Sequence, residues 1–506
     1  MEENDHQDPS PSDDSSLAST IMSLPAMAKK ESECECDRDH DHDHSFDTDF
    51  DIDIDIERQG SSYRAPSLHA LPIKDPPQLN STNGGPLTTL SHTLSLVRTK
   101  DTGTDPGPPP DGGVQAWTQA ILVHLVIFNT WGYVNSFGLF QTYYTSTLFL
   151  SPSAVPWIGS FQIFLLFFIG AFSGRATDAG FFEASFIAGS ALQLVGVFTT
   201  SVCTQYWQLF LAQGICTGMG NGLVFVPSMS LASVYFLKNR SLAIGFCASG
   251  SATGGLVFPA MAERLLPRVG FAWTVRAIGF VMLSTMVLCA VFLQPRLPPR
   301  RSGPIVEWSA FRERPYALFS FAMFFIFWGI YIGFYFVGSF GRDELGVSQS
   351  TAIQLLLVMN GVGLLGRLIP NYYADKSIGP LNAIIPFAAI SCLLLYCWVA
   401  VHSVAGLWAF AIAYGIFAAG IQSLFPATLT SLTSDPKRAG VRMGMVFSVV
   451  SFAVLTGPPI AGALISLAGG RYVYAQIFAG SSMVAGVATL VAARVAKAGA
   501  KFKVKV

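Results

Sequence analysis

The sequence predicts an all-α membrane protein: twelve transmembrane helices in two six-helix halves, preceded by a disordered acidic tail. Three observations carry that prediction. Of 506 residues, 51% are hydrophobic and only 12% charged, where soluble chains carry about 25% charged residues. From Gly113 onward the chain is a series of apolar stretches, each long enough to cross a hydrocarbon core about 30 Å thick. The longest and most basic connection, QPRLPPRRSGPIVEWSAFRERPY, divides those stretches six and six.

In chain order, residues 1–110 come first. They are rich in Asp, Ser, Pro and Thr, lack helical periodicity and run into the stiff GTDPGPPPDGG, so they read as a disordered cytoplasmic tail. They hold 8 basic and 22 acidic residues against 23 and 10 in the rest, so a tail of net charge −14 precedes a body of +13. Within the tail, Cys34, Cys36, His40, His42 and His44 of CECDRDHDHDH invite a metal-binding reading. Their spacing fits no closed tetrahedral site, and the alternation is low-complexity sequence, so no metal or cofactor is expected. The body cysteines lie in apolar runs and suggest no disulfide framework. The acidic start and the short, polar LASTIMSLPAMA argue against a cleavable signal, leaving the first membrane helix to direct insertion.

The twelve spans are expected at about 116–140, 156–176, 181–203, 206–234, 241–262, 271–293, 316–340, 351–373, 380–401, 406–432, 441–467 and 472–494. This divides the body into an N-terminal half (111–294), a linker (295–315), a C-terminal half (316–495) and a basic C-terminal tail (496–506). The even-numbered connections carry Arg175, Lys238, Arg240, Arg296, Arg300, Arg301, Arg312, Arg314, Lys376, Lys437, Arg438 and Arg442. The odd ones hold only Arg264, Arg268, Arg342 and Arg471. Basic residues stay on the cytosolic side, so both termini are expected there. The expected location is the plasma membrane. Two echoes point to related halves: LVFVPSMSL in the fourth span with SLFPATLTSL in the tenth, and GRATDAG after the second with YYADKSIG after the eighth. A parallel repeat of this kind is the major-facilitator architecture, with substrate near the midplane between the halves.

Soluble-enzyme signals are absent: there is no P-loop, GxSxG or HExxH, so no enzymatic activity and no nucleic-acid partner are expected. The expected partners are the lipid bilayer and a small-molecule substrate. The chemistry is carried instead by the few polar residues inside spans. Arg367 lies roughly 12 Å before Asp375 along the eighth helix. At that depth an arginine costs several kcal/mol unless it faces a partner or a wet cavity. The competing reading is that it bonds helix-end carbonyls or snorkels. His124 and Arg276 are candidates for a proton or anion relay; an interfacial histidine bonded to a neighbouring helix, or an arginine at the headgroups, fits them as well. Aromatics alternate with Tyr133, Asn135, Tyr331 and Tyr335 in the first and seventh spans, as in the lining of a small-molecule site. Gly245, Gly250 and Gly254 let helices approach closely, either for static packing or for rocking of one half on the other.

At these motifs the chain resembles the monocarboxylate-transporter family of the major facilitator superfamily, particularly its fungal branch. The first signature appears as Asp111-Gly112-Gly113 leading to Trp117, and the second as Tyr235-Phe236-Leu237-Lys238-Asn239-Arg240 through Gly245, followed by Gly250-Ser251. GRLIPNYYAD in the eighth span also resembles that branch. The resemblance covers about 111–495. It implies that the family's anion-binding arginine is Arg367. The proton-binding lysine of mammalian members falls on Asn135 and their acid on Gly363, so lactate-type proton symport is not implied.

The expected function is therefore transport of an organic anion, monocarboxylate-like or a larger carboxylate-bearing metabolite, by alternating access. Arg367 is the anion clamp, since its fork matches a carboxylate. Asn135, Tyr133, Tyr331 and Tyr335 line the cavity, Gly245, Gly250 and Gly254 permit rocking, and Asp178 and Asp375 latch the cytoplasmic side. Export of a secondary metabolite is the alternative within transport. A non-transporting nutrient sensor, signalling through the acidic tail, is the rival from another class.

Overall fold

The computed structural model describes residues 107–150, 154–298, 306–499 and 504. Residues 1–106 of the expected tail, with their Cys/His repeat, lie outside the described residues, as do 299–305 of the linker and 500–503 and 505–506 of the basic tail. The described residues form helices and turns without a strand. The membrane-length helices are α1 (Gly113–Thr145), α2 (Pro156–Asp178), α3 (Phe182–Thr200), α4 (Tyr206–Tyr235), α5 and α6 within Arg240–Phe292, α7 (Arg314–Leu345), α8 (Gln349–Ile378), α9 (Pro380–Trp398), α10 (Val404–Leu432), α11 (Pro436–Leu467) and α12 (Val473–Ala498). Eleven helices thus supply the twelve expected spans. The fifth and sixth run together and break only at Gly270 (φ 74°, ψ 175°), which divides α5 (240–269) from α6 (271–292). That φ favours glycine, because a Cβ would be strained there.

Helix ends follow local chemistry. Ser348 and Ser403 accept hydrogen bonds from Thr351 N and Gly406 N, capping the starts of α8 and α10, and so satisfy N–H groups the helix cannot. Left-handed Gly346 closes α7. The internal repeat is legible in matched prolines: Pro227 in α4 with Pro426 in α10, and Pro259 in α5 with Pro458 in α11.

Packing relies on small residues. A Cβ on Gly132 of α1 would meet Gly254 Cα at 2.6 Å, and one on Gly415 of α10 would meet Met359 O of α8 at 2.8 Å. In lipid, such close backbone approach replaces the hydrophobic drive that holds soluble helices together. The two halves touch along α2 and α11, where Phe452 packs on Phe164 and Phe168, and along α5 and α8, where Gly245 meets Arg367 O and Asn371. The linker is pinned as well: Glu307 pairs with Arg438 (2.5 Å) and Arg442 (3.3 Å), and Arg442 also pairs with Glu313 (2.5 Å).

Candidate functional site

Arg367 lies on the face of α8 that packs against α10. Gly363 and Gly366 bring those helices together: a Cβ at 366 would collide with Ile416 O, and one at 363 would lie 2.7 Å from the Arg367 Nη1. This approach sets Gln422 of α10 beside the guanidinium, whose Nη2 donates to Gln422 Oε1 at 3.0 Å. Arg367 is only 3% exposed, and no carboxylate stands within ion-pair distance of it among the described residues. A buried cation without a counter-charge is unfavourable, so the arrangement favours an anion beside it.

Two chambers meet at that guanidinium. The first is walled by Trp131, Phe167 and Phe225 of the first half and Phe327, Phe425 and Phe447 of the second. The other is more polar, with Asn135, Gln141, Tyr335 and Asn360 in its wall. Tyr331, Arg367 and Gln422 line both and form the partition. Asn135 Nδ2 donates to Ser251 O (3.1 Å) and across the halves to Asn360 Oδ1 (3.2 Å).

Of the residues expected to line the cavity, Arg367, Asn135, Tyr331 and Tyr335 come together. Tyr133 does not. It is fully buried among first-half residues, its ring 5.5 Å from that of Phe140. Trp131 and Asn135 are four apart and share a face, whereas Tyr133, two residues from each, points the other way. The expected relay is not assembled either. His124 bonds Phe246 O (2.9 Å) and Thr253 Oγ1 (3.0 Å), tying α1 to α5. Arg276 donates to Ser201 Oγ (3.2 Å) and lies over the Trp273 ring. Neither lines a chamber.

The glycines divide in the same way. Gly250 and Gly254 face Phe128 of α1 within their own half and not the boundary between the halves. Gly245 sits between the halves, and so does Gly255, whose added Cβ would meet Asn360 and Asn135.

Both candidate latch residues cap a helix of the opposite half. Gly440 N and Val441 N at the start of α11 donate to Asp178 at 3.2 and 2.9 Å. Ser241 N and Leu242 N at the start of α5 donate to Asp375 at 3.0 and 2.7 Å. A carboxylate at a helix N-terminus meets unsatisfied N–H groups and the positive end of the helix dipole.

Sequence reasoning missed three features. Gln422 is an isolated amide in an apolar run, and Asn360 stands two turns before Arg367 on the same face; either signal could have found them. The contact between the two signatures had no such signal. Asp111 accepts from Leu237 N (2.8 Å), Lys238 N (2.7 Å) and Asn239 N (3.3 Å), while Trp117 packs on Phe236 and Phe246.

Residues 122–431 match the Major Facilitator Superfamily. An MFS-type transporter of Gibberella zeae is 48% identical over 396 residues, covering 78% of this chain and 90% of the relative. The aspyridones efflux protein of Emericella nidulans is 38% identical over 383 residues, 75% of this chain and 77% of the relative. Among solved structures, the human organic anion transporter MFSD10 superposes with a TM-score of 0.60 at 13% identity, over 75% of this chain and all of that one. The E. coli fucose:proton symporter gives 0.60 at 13%, over 75% and 99%. At such identities the likeness is one of fold. Twelve spans, a cavity between two related halves and close relatives named as transporters converge: the chain belongs to the Major Facilitator Superfamily and is a transmembrane transporter.

Proposed function

We propose that this transporter moves an organic anion by alternating access, and that its cargo is a secondary metabolite leaving the cell. The observation that carries this reading is Arg367, buried between two chambers with Gln422 as its hydrogen-bond partner and no acid beside it among the described residues. An acidic cargo supplies the missing charge, and the planar fork grips a carboxylate or an acidic enol through two N–H groups. The resemblance of the two signatures to monocarboxylate transporters supports an acidic cargo; a relative named as an efflux protein supports export.

In this reading the end that carries Asp178 and Asp375 faces the cytosol with both termini, because the basic connections gather there. Opening to the cytosol breaks both helix caps together, and cargo binding shifts the equilibrium between the open and closed arrangements. Asn135 and Gly363 stand where the resemblance puts a proton-binding lysine and acid, so that pair carries no proton here.

The test compares an anionic and a neutral analogue in cells holding equal amounts of surface protein. Arg367→Lys keeps the charge but loses the fork, and flux of the anion should fall about tenfold more than flux of the neutral analogue. Equal losses for both would return Arg367 to a structural role. Untargeted comparison of metabolites inside and outside cells, with and without the protein, then identifies the cargo.

A further inference from the structure

Gln422 precedes Ser423 on α10, and that neighbour fixes its place. Asn371 Nδ2 bonds both Ser423 Oγ (2.8 Å) and the Arg367 carbonyl (2.7 Å), so α10 is registered against α8 at the arginine itself. The Gln422 side chain then meets the guanidinium at 3.0 Å. Arginine has only donors, so the amide must turn its Oε1 to Arg367, and its two Nε2 hydrogens are directed elsewhere. No group among the described residues accepts from that Nε2, and Gln422 lines both chambers beside Arg367. One bond at Nη2 also leaves an entire edge of the fork for a two-pronged contact with an acid. The contact differs from an ion pair in a single atom: glutamate has the same reach, but its charge would cancel that of the arginine.

We propose that Gln422 sets the charge selectivity of the site. It holds the Arg367 fork without cancelling its charge, and its Nε2 adds a donor to those that meet the acidic group of the cargo. The proposal deepens the anion-transport reading and rests on it. Two opposite charges in contact at a buried site satisfy each other, so an acid at 422 closes the site to an anion from outside. An apolar residue of similar size leaves the charge of Arg367 in place, but it neither holds the fork nor supplies the donor. The amide alone does both and keeps the site positive.

Calorimetry on the purified full-length protein tests this with 2-naphthoate and its neutral counterpart 2-naphthamide. The unmodified protein should bind the acid roughly tenfold tighter than the amide. Gln422→Glu should erase that preference, weakening the acid about tenfold and leaving the amide nearly unchanged. Gln422→Met should weaken the acid only about threefold, the effect of a lost hydrogen bond, and still prefer it. If Gln422→Glu keeps the full preference for the acid, the charge role is overturned while the anion site stands. If Gln422→Met binds the acid as tightly as the unmodified protein, Gln422 neither holds the fork nor donates to the cargo, and the proposal falls alone. Equal losses of both probes in either variant make Gln422 a packing residue. If the unmodified protein binds the two probes alike, the anion reading falls and takes the proposal with it. If neither probe binds at millimolar concentration, both are overturned.

Discussion

At the α2–α11 crossing Asp178 receives two N–H groups from the start of α11, and at the α8–α5 crossing Asp375 receives two from the start of α5. Counting back one and two turns from each aspartate pairs Gly174 with Asn371, and Gly170 with Arg367. The partner helices match as well: Gly440 and Gly444 correspond to Ser241 and Gly245. In the first crossing glycine lies on glycine, and a Cβ on Gly174 would collide with the Gly440 backbone. In the second, Asn371 Nδ2 bonds Arg367 O (2.7 Å) and Ser423 Oγ (2.8 Å), and the arginine side chain reaches the cavity. One plan is therefore filled in two ways. The position of Arg367 is thus one that glycine fills in the matching crossing.

The largest expected effect follows from that difference and is counter-intuitive. Gly174→Ala adds one methyl group against backbone that must move, and such overpacking destabilises by about 1–3 kcal/mol. Arg367→Ala removes a whole guanidinium, but from a site whose counterpart is glycine. Thermal melts of the purified proteins should show Gly174→Ala losing several degrees and Arg367→Ala losing less. Anion flux should be nearly lost in Arg367→Ala at matched abundance. A larger melting loss in Arg367→Ala would break the correspondence between the two crossings.

Next in size are the caps. An acid at a helix N-terminus contributes about 0.3–1 kcal/mol, and up to about 2 in partly buried settings. Asp178→Asn and Asp375→Asn should each shift the resting protein several-fold toward the latch-open arrangement, and the double variant further. Labelling rates of a cysteine placed at Val441 or Ser241, both buried at the caps, read that shift directly. An effect confined to one of the two caps would show that the crossings do not open together.

The smallest effects concern how the loops beside the latch are held. Glu307 is buried, which opposes its charge, but hydrogen bonds from Arg442 and Arg438 keep its carboxyl below the usual carboxylate range. Burial likewise opposes the charge on Asp111, and the N–H groups of Leu237, Asn239 and Lys238 hold it low. A carboxylate whose pKa is depressed on folding adds stability above its unfolded pKa and loses it as pH falls through the folded value. Both ties are thus intact at neutral pH and are lost only in acid, below the ordinary carboxylate range. Glu307→Gln should lower the neutral-pH melting temperature by a few degrees and flatten its acid dependence; Arg442 retains Glu313. Asp111→Asn should do less, because that group is closer to solvent and its interactions are screened. The reverse ranking would assign the tighter hold to the first half.

Much of the site was legible as an inventory of unusual residues. Arg367 betrayed itself as a lone cation deep in an apolar run, and Asp178 and Asp375 through the echo of GRATDAG in YYADKSIG. Their partners were not legible, because each aspartate acts on the backbone of a helix more than a hundred residues away.

By itself the sequence determined the spans, their grouping into two halves, the charge pattern along the connections and the presence of a lone arginine deep in an apolar span. These follow from local properties: hydrocarbon thickness sets segment length, and the placement of Lys and Arg sets the expected orientation. Only the tertiary structure decided which side of each helix meets the cavity. It turned Trp131 and Asn135 inward and Tyr133 away, brought Gln422 to Arg367, and left Gly250 and Gly254 inside one half while placing Gly245 between the two. Membrane helices are apolar around their whole circumference, because lipid and neighbouring helices present equally apolar surfaces. Their rotational setting, about 100° per residue, is therefore fixed by close backbone packing between distant segments rather than by any pattern along the chain.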